Sequence, residues 1–250
     1  DGLACMFTLM NHARLEVGLQ AVALAERSYQ DALAYAQERV QGRNVESGAP
    51  AAIIEHADVQ RMLMQMKSTT EAMRCLAYDG AYCHDLRTHG DDDQRRHYNE
   101  RFALLTPVVK AWCSELVNEV TSIGIQVHGG MGFIEESGAA QHYRDARITA
   151  IYEGTNGIQA NDLVGRKVLR DQGAALGAYL EDIAETASQL QQIDSTLAES
   201  LAQAGNDLNR TGRFLLENAQ KSQRFVGAVA YNFLMMMGYV AGGYYMARAA

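Results

Sequence analysis

Proline is scarce in this sequence, and negative charge outnumbers positive charge. Only two prolines occur among 250 residues, so long stretches of helix formers run uninterrupted, which favours long helices. The 22 Lys and Arg residues stand against 30 Asp and Glu residues, a net charge of −8. Because nucleic acids and anionic membrane surfaces bind basic patches, this balance argues against both partners. The apolar share of 48% excludes a disordered chain.

Disulfide and metal-site patterns are also lacking. The four cysteines have no C-x-x-C or zinc-type spacing, so we expect reduced thiols in a cytoplasmic protein. The seven histidines form no H-x-x-x-H or H-E-x-x-H pair, so no metal is predicted. The first residues carry neither an initiating Met nor the basic segment of a signal peptide, so we expect a chain cut from a longer protein.

Apolar residues recur at steps of three and four, the spacing of one helix face. This spacing predicts helices over residues 3–39, 55–89, 106–128, 138–150, 156–171, 174–191, 195–220 and 223–248. Thr106 is predicted as the N-cap of the third helix and Pro107 as its first residue. No alternating run indicates a strand. The predicted fold is all-α: an antiparallel helical bundle over residues 1–172, divided at Gly173 from additional C-terminal helices over residues 173–250.

The last predicted helix invites a comparison with membrane spans. No charged residue occurs between Arg224 and Arg248, and that length is enough to cross a bilayer. However, Asn232, four glycines and four tyrosines are spread along the run. A buried or oligomer-facing helix is therefore favoured, and no membrane span is expected.

Two loops with glycines interrupt the helices, at residues 126–133 and 151–159. The glycines are either helix C-caps or positions where backbone N–H groups approach a phosphate or cofactor. Glu153 lies between an aromatic residue and a glycine, and an apolar setting raises a carboxyl pKa toward that of a general base. The alternative for Glu153 is a solvent-facing residue at a helix terminus. Thr155 is a candidate N-cap of the next helix.

Taken together, these residues resemble the C-terminal part of an acyl-CoA dehydrogenase. The matching stretches follow the family order at residues 11–14, 38–39, 55–56, 126–133, 143–147 and 151–159. The most specific element is Y-E-G-T at residues 152–155, which follows R-D-A at residues 144–146. The extra helical tail resembles the longer bacterial branch of the family, the 3-methylmercaptopropionyl-CoA dehydrogenase-like enzymes.

The resemblance implies an FAD enzyme that oxidises the α,β-bond of an acyl-CoA thioester. In this family a catalytic Glu removes the α-proton while the β-hydrogen leaves as hydride to the flavin. Glu153 matches that base, and its backbone N–H would help hold the thioester oxygen. Some relatives carry the base on the first helix, where residues 11–14 contain no acid. The resemblance also implies an electron-transferring flavoprotein as partner and a homodimer or higher homo-oligomer.

The family's contacts are implied residue by residue. Those to FAD are Arg39 and Gln41, which reach the pyrophosphate side from the neighbouring subunit, the strip Gln126, Val127, His128, Gly129 and Gly130, which receives the adenosine end, and also His56 and Thr155. Those to acyl-CoA are Asn11, Arg14 and Gly154. There are two departures from the family pattern. No Phe-Gly follows Gln41, and Gly157 stands where the family has a glutamine.

Two other functions stay open on the sequence. One is a non-catalytic helical interaction or oligomerisation module derived from the same fold, and the other is a membrane-anchored helical protein that depends on residues 225–247. Retention of Glu153, Gly154 and Thr155 favours the enzyme. The family's N-terminal helical domain and middle β domain have no counterpart in these residues, so we expect this chain alone to bind FAD poorly and to be inactive.

Overall fold

The computed structural model describes the backbone of residues 2–249, which is largely helical. Side chains are described over this range except for Leu3, Ala4, Cys5, Phe7, Thr8 and Gln223. The helices are α1 (Gly2–Glu38), α2 (Ala57–His89), α3 (Asp92–His128), α4 (Gly130–Phe133), α5 (Ala139–Thr149), α6 (Asn156–Asp162), α7 (Ala174–Leu190), α8 (Ser195–Asn218) and α9 (Gln223–Ala249). The predicted all-α helical bundle is confirmed.

The predicted start of the third helix was wrong. The helix begins at Asp92, and Pro107 lies inside it rather than at its first position. Thr106 is not an N-cap, because its hydroxyl donates back to the Phe102 carbonyl at 2.7 Å, a bond within the helix. A proline removes one backbone donor, yet here it does not end the helix, since packing on both sides of it outweighs that loss.

A cap near residue 91 explains the earlier start of α3. Asp91 Oδ1 accepts the backbone N–H groups of Asp93 at 3.1 Å and Gln94 at 2.9 Å. Gln94 Oε1 in turn accepts the backbone N–H of Asp91 at 3.0 Å. This reciprocal arrangement is a capping box, which satisfies donors that a helix start leaves without partners.

A short hairpin that the sequence reasoning missed joins α1 to α2. Strands β1 (Val40–Arg43) and β2 (Pro50–Ala52) pair antiparallel, with Val40 opposite Ala52. In the turn, Asn44 Oδ1 accepts the backbone N–H groups of Glu46 at 2.9 Å and Ser47 at 3.0 Å. The predicted break in this region is confirmed, but strands this short carry no alternation that would predict them.

The chain divides into two compact units, each with its own core. The first unit takes the residues up to Gly18, then Ala72–Trp112, then everything from Glu153 onward. Its core includes Leu15, Leu76, Phe102, Leu105, Val109, Leu163, Ile183 and Leu208. The second unit takes Leu19–Glu71 and Cys113–Tyr152, with a core that includes Ala21, Val22, Ala25, Met66, Val117, Val120 and Ala146.

A part-buried polar cluster ties the C-terminal helices into the first unit. Arg101 of α3 pairs with Asp182 of α7, and its Nε lies 3.4 Å from Asp79 Oδ2 on α2. The Tyr245 hydroxyl of α9 donates to the same Asp79 oxygen at 2.6 Å. Four helices therefore share one set of ionic and hydrogen-bonding contacts. The domain division at Gly173 stays a prediction.

Helix α9 is long and apolar enough to cross a membrane, judged by length and composition over Arg224–Ala249. Of its most apolar window, 44% is buried within the protein. Phe233, Leu234 and Met237 face the core of the first unit, and the Tyr239 ring meets that of Trp112 edge-on at 5.8 Å. The core helix of a soluble protein has the same composition, and the expectation of no membrane span stays a prediction.

Candidate functional site

One cavity of the second unit collects most of the residues predicted to contact FAD. Its volume is about 340 Å³, and its walls come from the end of α1, the hairpin, the start of α2 and the end of α3. Seven predicted residues line it: Arg39, Gln41, His56, Gln126, Val127, His128 and Gly129. Gly130 follows directly as the first residue of α4.

A hydrogen bond holds the hairpin against the start of α2. His56 Nε2 donates to the Gln41 carbonyl oxygen at 2.8 Å. Gly42 has a φ of 78°, and a Cβ at this position would lie 3.2 Å from His56 Nε2. Gly42 therefore provides both the left-handed backbone and the space that the imidazole occupies. Two residues predicted only to touch the cofactor, Gln41 and His56, therefore also fix one wall of this cavity.

The opposite wall is built around His128. Its ring is buried, stacks on Tyr35 with centroids 4.4 Å apart, and donates from Nδ1 to the Gly124 carbonyl at 2.7 Å. The Gly129 N–H donates to the Gln126 carbonyl at 3.0 Å, which closes the end of α3. The Nδ1 bond leaves His128 Nε2 as the ring atom that can still accept a hydrogen bond.

The charge of this cavity suits an anion. Arg39 is exposed at its rim, and within the part of the chain that the structure describes its guanidinium has no ion-pair partner. The amides of Gln41 and Gln126 add donors, and none of the described lining residues is acidic. Guanidinium and amide donors are the groups that bind phosphate oxygens, so this donor set fits a pyrophosphate.

Glu153 lies in the first unit, on a turn with unusual backbone geometry. Its φ is 55°, in the left-handed region that non-glycine residues rarely adopt, and Gly154 follows with a φ of 87°. The Glu153 side chain is half-buried, and its carboxylate has no hydrogen bond or ion pair with any described residue. Thr155 occupies the N-cap position of α6, as predicted, but its exposed hydroxyl makes no capping bond. Within the part of the chain that the structure describes, the turn therefore presents a carboxylate without a hydrogen-bond partner next to a hydroxyl that caps nothing.

Helix α6, directly after this turn, carries three buried polar side chains. Asn156, Gln159 and Asp162 are 4%, 0% and 8% exposed. Residues at steps of three share a helix face, and buried polar groups need hydrogen-bond partners. None of the three was among the predicted site residues, although the spacing N-x-x-Q-x-x-D is visible in the sequence. A polar stripe on the buried side of a short helix is the signal that would have found them.

Asn156 meets a fully buried lysine. Lys110 Nζ donates to Asn156 Oδ1 at 2.9 Å, and Asn156 Nδ2 donates to the Ala111 carbonyl at 3.3 Å. We expect Asn156→Ala to lower the free energy of unfolding by about 1–3 kcal/mol, because the buried Lys110 Nζ loses a hydrogen-bond acceptor. Urea unfolding followed by circular dichroism measures the loss. Asn161→Ala, at an exposed position of the same helix, is the control and should change stability by less than about 0.5 kcal/mol. Equal losses in both variants would contradict the assignment.

The residues predicted to contact acyl-CoA also lie together in the first unit. Arg14 Nη1 is 3.2 Å from Asp162 Oδ2 and 3.3 Å from Asn11 Oδ1. Arg14 Nη2 is 3.9 Å from the position that a Cβ on Gly154 would take. Arg14 is 7% exposed, and its Nε has no hydrogen-bond partner among the described residues. Its guanidinium therefore packs next to Gly154 of the Glu153 turn and is held there by its ion pair with Asp162.

Comparison with known proteins identifies the family. Residues 1–168 match the acyl-CoA dehydrogenase C-terminal domain. The chain belongs to the acyl-CoA dehydrogenase family. Residues 159–250 match a second domain, described as acetyl-CoA dehydrogenase C-terminal like. The predicted family is confirmed, and the second match covers all of the additional C-terminal helices, residues 173–250.

Relatives of this acyl-CoA dehydrogenase chain are much longer than the chain itself. The 3-methylmercaptopropionyl-CoA dehydrogenase of Ruegeria pomeroyi is 45% identical over 100% of this chain and 43% of the relative. The broad-specificity linear acyl-CoA dehydrogenase FadE5 of Mycobacterium tuberculosis is 35% identical over 94% of this chain and 38% of the relative. The solved structure of ACDH-11 from Caenorhabditis elegans in complex with C11-CoA superposes with a TM-score of 0.80 over 98% of this chain and 40% of that chain. At 19% identity, that likeness concerns the fold alone.

Acyl-CoA dehydrogenases are FAD-dependent flavoproteins. In this chain, seven of the residues predicted to contact FAD line the cavity whose donors suit an anion, so the lining of that cavity fits the cofactor. Thr155, also predicted to contact FAD, belongs to the first unit. The roles of the individual residues stay predictions.

Proposed function

We propose that this chain is the C-terminal part of a flavin-dependent enzyme that oxidises the α,β-bond of an acyl-CoA thioester, with Glu153 as the base. The observation that carries the proposal is the Glu153 carboxylate, half-buried on a left-handed turn without a partner among the described residues, in a chain of this family. A carboxylate that is used structurally is normally paired or hydrogen-bonded within the protein. One held without a partner is available to take a proton.

The reaction needs a base because the α-proton beside a thioester is only weakly acidic. A carboxylate placed within hydrogen-bonding reach of that proton lowers the barrier for its removal. Negative charge then develops on the thioester oxygen, where the backbone N–H of Glu153 would donate a hydrogen bond. The same residue would thus remove the proton and stabilise the charge that its removal creates.

The cavity of the second unit would hold FAD. Arg39 and Gln41 would supply donors for its pyrophosphate, while Gln126, Val127, His128, Gly129 and Gly130 would form the strip for its adenosine end and His56 would brace the wall. Thr155, which belongs to the first unit, stays a separate FAD contact that the family resemblance implies. When bound, FAD supplies the acceptor for the β-hydrogen, which leaves as hydride.

Acyl-CoA would lie against Asn11, Arg14 and Gly154. Because Arg14 is buried and paired with Asp162, its part is to hold the surface beside Gly154 rather than to bind the phosphates of CoA. We further propose an electron-transferring flavoprotein as the electron acceptor, a homodimer or higher homo-oligomer, and a cytoplasmic location. Among substrates, thioesters such as 3-methylmercaptopropionyl-CoA and linear acyl-CoAs are the first to try, given the names of the relatives.

Anaerobic mixing with acyl-CoAs tests the function. The natural gene product that contains this sequence is purified with its flavin and titrated with thioesters of graded length. We expect at least one of them to bleach the visible absorbance of the flavin. A gene product that carries no flavin would contradict the proposal and favour the non-catalytic interaction module.

Removing the positive charge of Arg39 from the rim of the cavity should weaken FAD binding. We expect Arg39→Gln to weaken FAD binding about 10- to 100-fold, since a charge-assisted hydrogen bond contributes roughly 1.5–3 kcal/mol. Fluorescence titration of the flavin-free protein with FAD measures the dissociation constant. Arg43→Gln is the matched control, because Arg43 bonds the Gly48 carbonyl on the same hairpin and does not line the cavity. Unchanged affinity in Arg39→Gln would place the pyrophosphate elsewhere.

A further inference from the structure

The unusual backbone conformation of the Glu153 turn requires contacts that stabilise it. Two successive residues have positive φ, 55° at Glu153 and 87° at Gly154. For a non-glycine residue this conformation is less favourable by about 1 kcal/mol or more, and it persists only where the surroundings enforce it. The direction of the Glu153 side chain depends directly on that φ. Whatever fixes the backbone here also fixes the carboxylate.

Gln159, six residues further along the chain, contacts this turn. Its Nε2 donates to the Glu153 carbonyl at 3.2 Å and to the Gly154 carbonyl at 3.3 Å. A Cβ on Gly154 would lie 2.9 Å from the same nitrogen, so the amide packs directly against the turn. Both carbonyls of the left-handed pair are thus bonded by one side-chain amide.

We propose that Gln159 is a positioning residue for the dehydrogenation: its amide clamps the Glu153 and Gly154 carbonyls and thereby holds the Glu153 carboxylate in the direction that proton removal requires. This inference rests on the proposed function, because it takes Glu153 as the base. Gln159 itself is fully buried and acts only through the turn.

The amide group is required, not just the volume of the side chain. Two carbonyl oxygens face the same end of Gln159, so that end must be the NH₂ group with its two donors. The opposite end, Oε1, is buried and has no hydrogen-bond partner among the described residues. A buried acceptor without a partner is unfavourable by about 1–3 kcal/mol. An apolar residue of similar shape would avoid that penalty, so the presence of an amide points to the two bonds it makes.

The helix that carries Gln159 is itself fixed on both sides. Asn156, one turn before, is bonded to the buried Lys110, and Asp162, one turn after, pairs with the buried Arg14. These two anchors set the position and rotation of α6, and with them the point from which the amide reaches the turn. The short helix α6 therefore carries three buried polar side chains, and two of them fix the position from which the third, Gln159, holds the Glu153 turn.

Gln159→Met tests the proposal, because methionine keeps the length of the side chain and removes both donors. The variant is made in the natural gene product that contains this sequence and assayed per bound flavin. We expect kcat to fall about 10- to 100-fold, the effect of a small misplacement of a catalytic group. KM should stay within about threefold, because the substrate contacts are retained. Amide hydrogen exchange at residues 153–155 should become faster, a readout independent of activity. Gln203→Met, the same change at an exposed position of α8, is the control and should alter none of these.

Gln159→Glu provides a second test that does not depend on the first variant folding. A buried carboxyl favours its neutral form, and the neutral acid can donate one hydrogen bond to the turn. Once ionised, it has no donor and repels both carbonyls. We therefore expect the kcat of Gln159→Glu, relative to the unaltered enzyme, to fall as the pH rises. A purely structural role would change protein yield and melting temperature but would not produce this pH dependence per flavin.

The role of Glu153 as the base and the role of Gln159 in positioning it can be tested separately. If Glu153→Gln retains the full rate, Glu153 is not the base and the proposed function fails at that residue. If Glu153→Gln is inactive but Gln159→Met and Gln159→Glu keep an unaltered kcat per flavin at every pH, the base stands and the positioning role of Gln159 is overturned.

Discussion

Replacing Glu153 by glutamine is expected to slow the reduction of the bound flavin by acyl-CoA about 10²- to 10⁴-fold, the usual contribution of a general base. Glutamine has the shape of glutamate but cannot take up the α-proton. Because the Glu153 carboxylate makes no hydrogen bond or ion pair with the described residues, the change should leave the fold and the flavin site intact. Stopped-flow absorbance under anaerobic conditions measures the rate.

The control for this variant is Glu217→Gln, the same chemical change at an exposed position of α8. It should reduce its flavin at the unaltered rate. Both proteins are first compared for flavin content and acyl-CoA affinity, so that a slow rate is assigned to chemistry rather than to lost binding. Rapid reduction in Glu153→Gln would show that another group removes the proton.

The largest effect on stability is expected from Arg14→Met. Arg14 and Asp162 form an ion pair whose side chains are 8% and 7% exposed. Removing one partner leaves a buried charge uncompensated, which typically lowers stability by about 3–5 kcal/mol. Arg166 Nη1 lies 3.5 Å from the other Asp162 oxygen and is largely exposed, so we expect a value toward the lower end of that range. Urea unfolding of the chain measures it.

A double variant separates the ion pair from simple packing. Arg14→Met combined with Asp162→Leu removes both charges, and replacing a buried pair by apolar residues is often close to neutral. The double variant should therefore be more stable than Arg14→Met alone. Arg210→Met, which removes an exposed partner of Asp207, is the control and should change stability by less than about 1 kcal/mol. If the double variant is the less stable of the two, the buried charge is not the source of the loss.

Helix positions followed from the sequence more closely than helix starts did. Apolar spacing predicted α1, α2, α5, α7, α8 and α9 to within a few residues, because that spacing reports which face is buried. The helix predicted over residues 156–171 was different, since α6 ends at Asp162 and a π-helix follows over Leu163–Val168. The start of α3 was missed because Thr106 and Pro107 have the local pattern of a helix start, while the true cap at Asp91 lies within a charged segment that suggests a loop. The hairpin was missed because its strands are too short to alternate.

The candidate site shows the same limit. Family motifs pointed to the residues that line the cavity of the second unit and to Glu153, because these residues have a recognisable type and order. The motifs did not reveal that Gln159 bonds the Glu153 turn, nor that Arg14 is buried against Asp162, 148 positions away along the chain. A sequence contains residue types and local spacing, which suffice for helix faces, charge and motif. Which buried polar groups become partners depends on how the helices pack, since a hydrogen bond requires two groups to meet within about 3 Å at a usable angle.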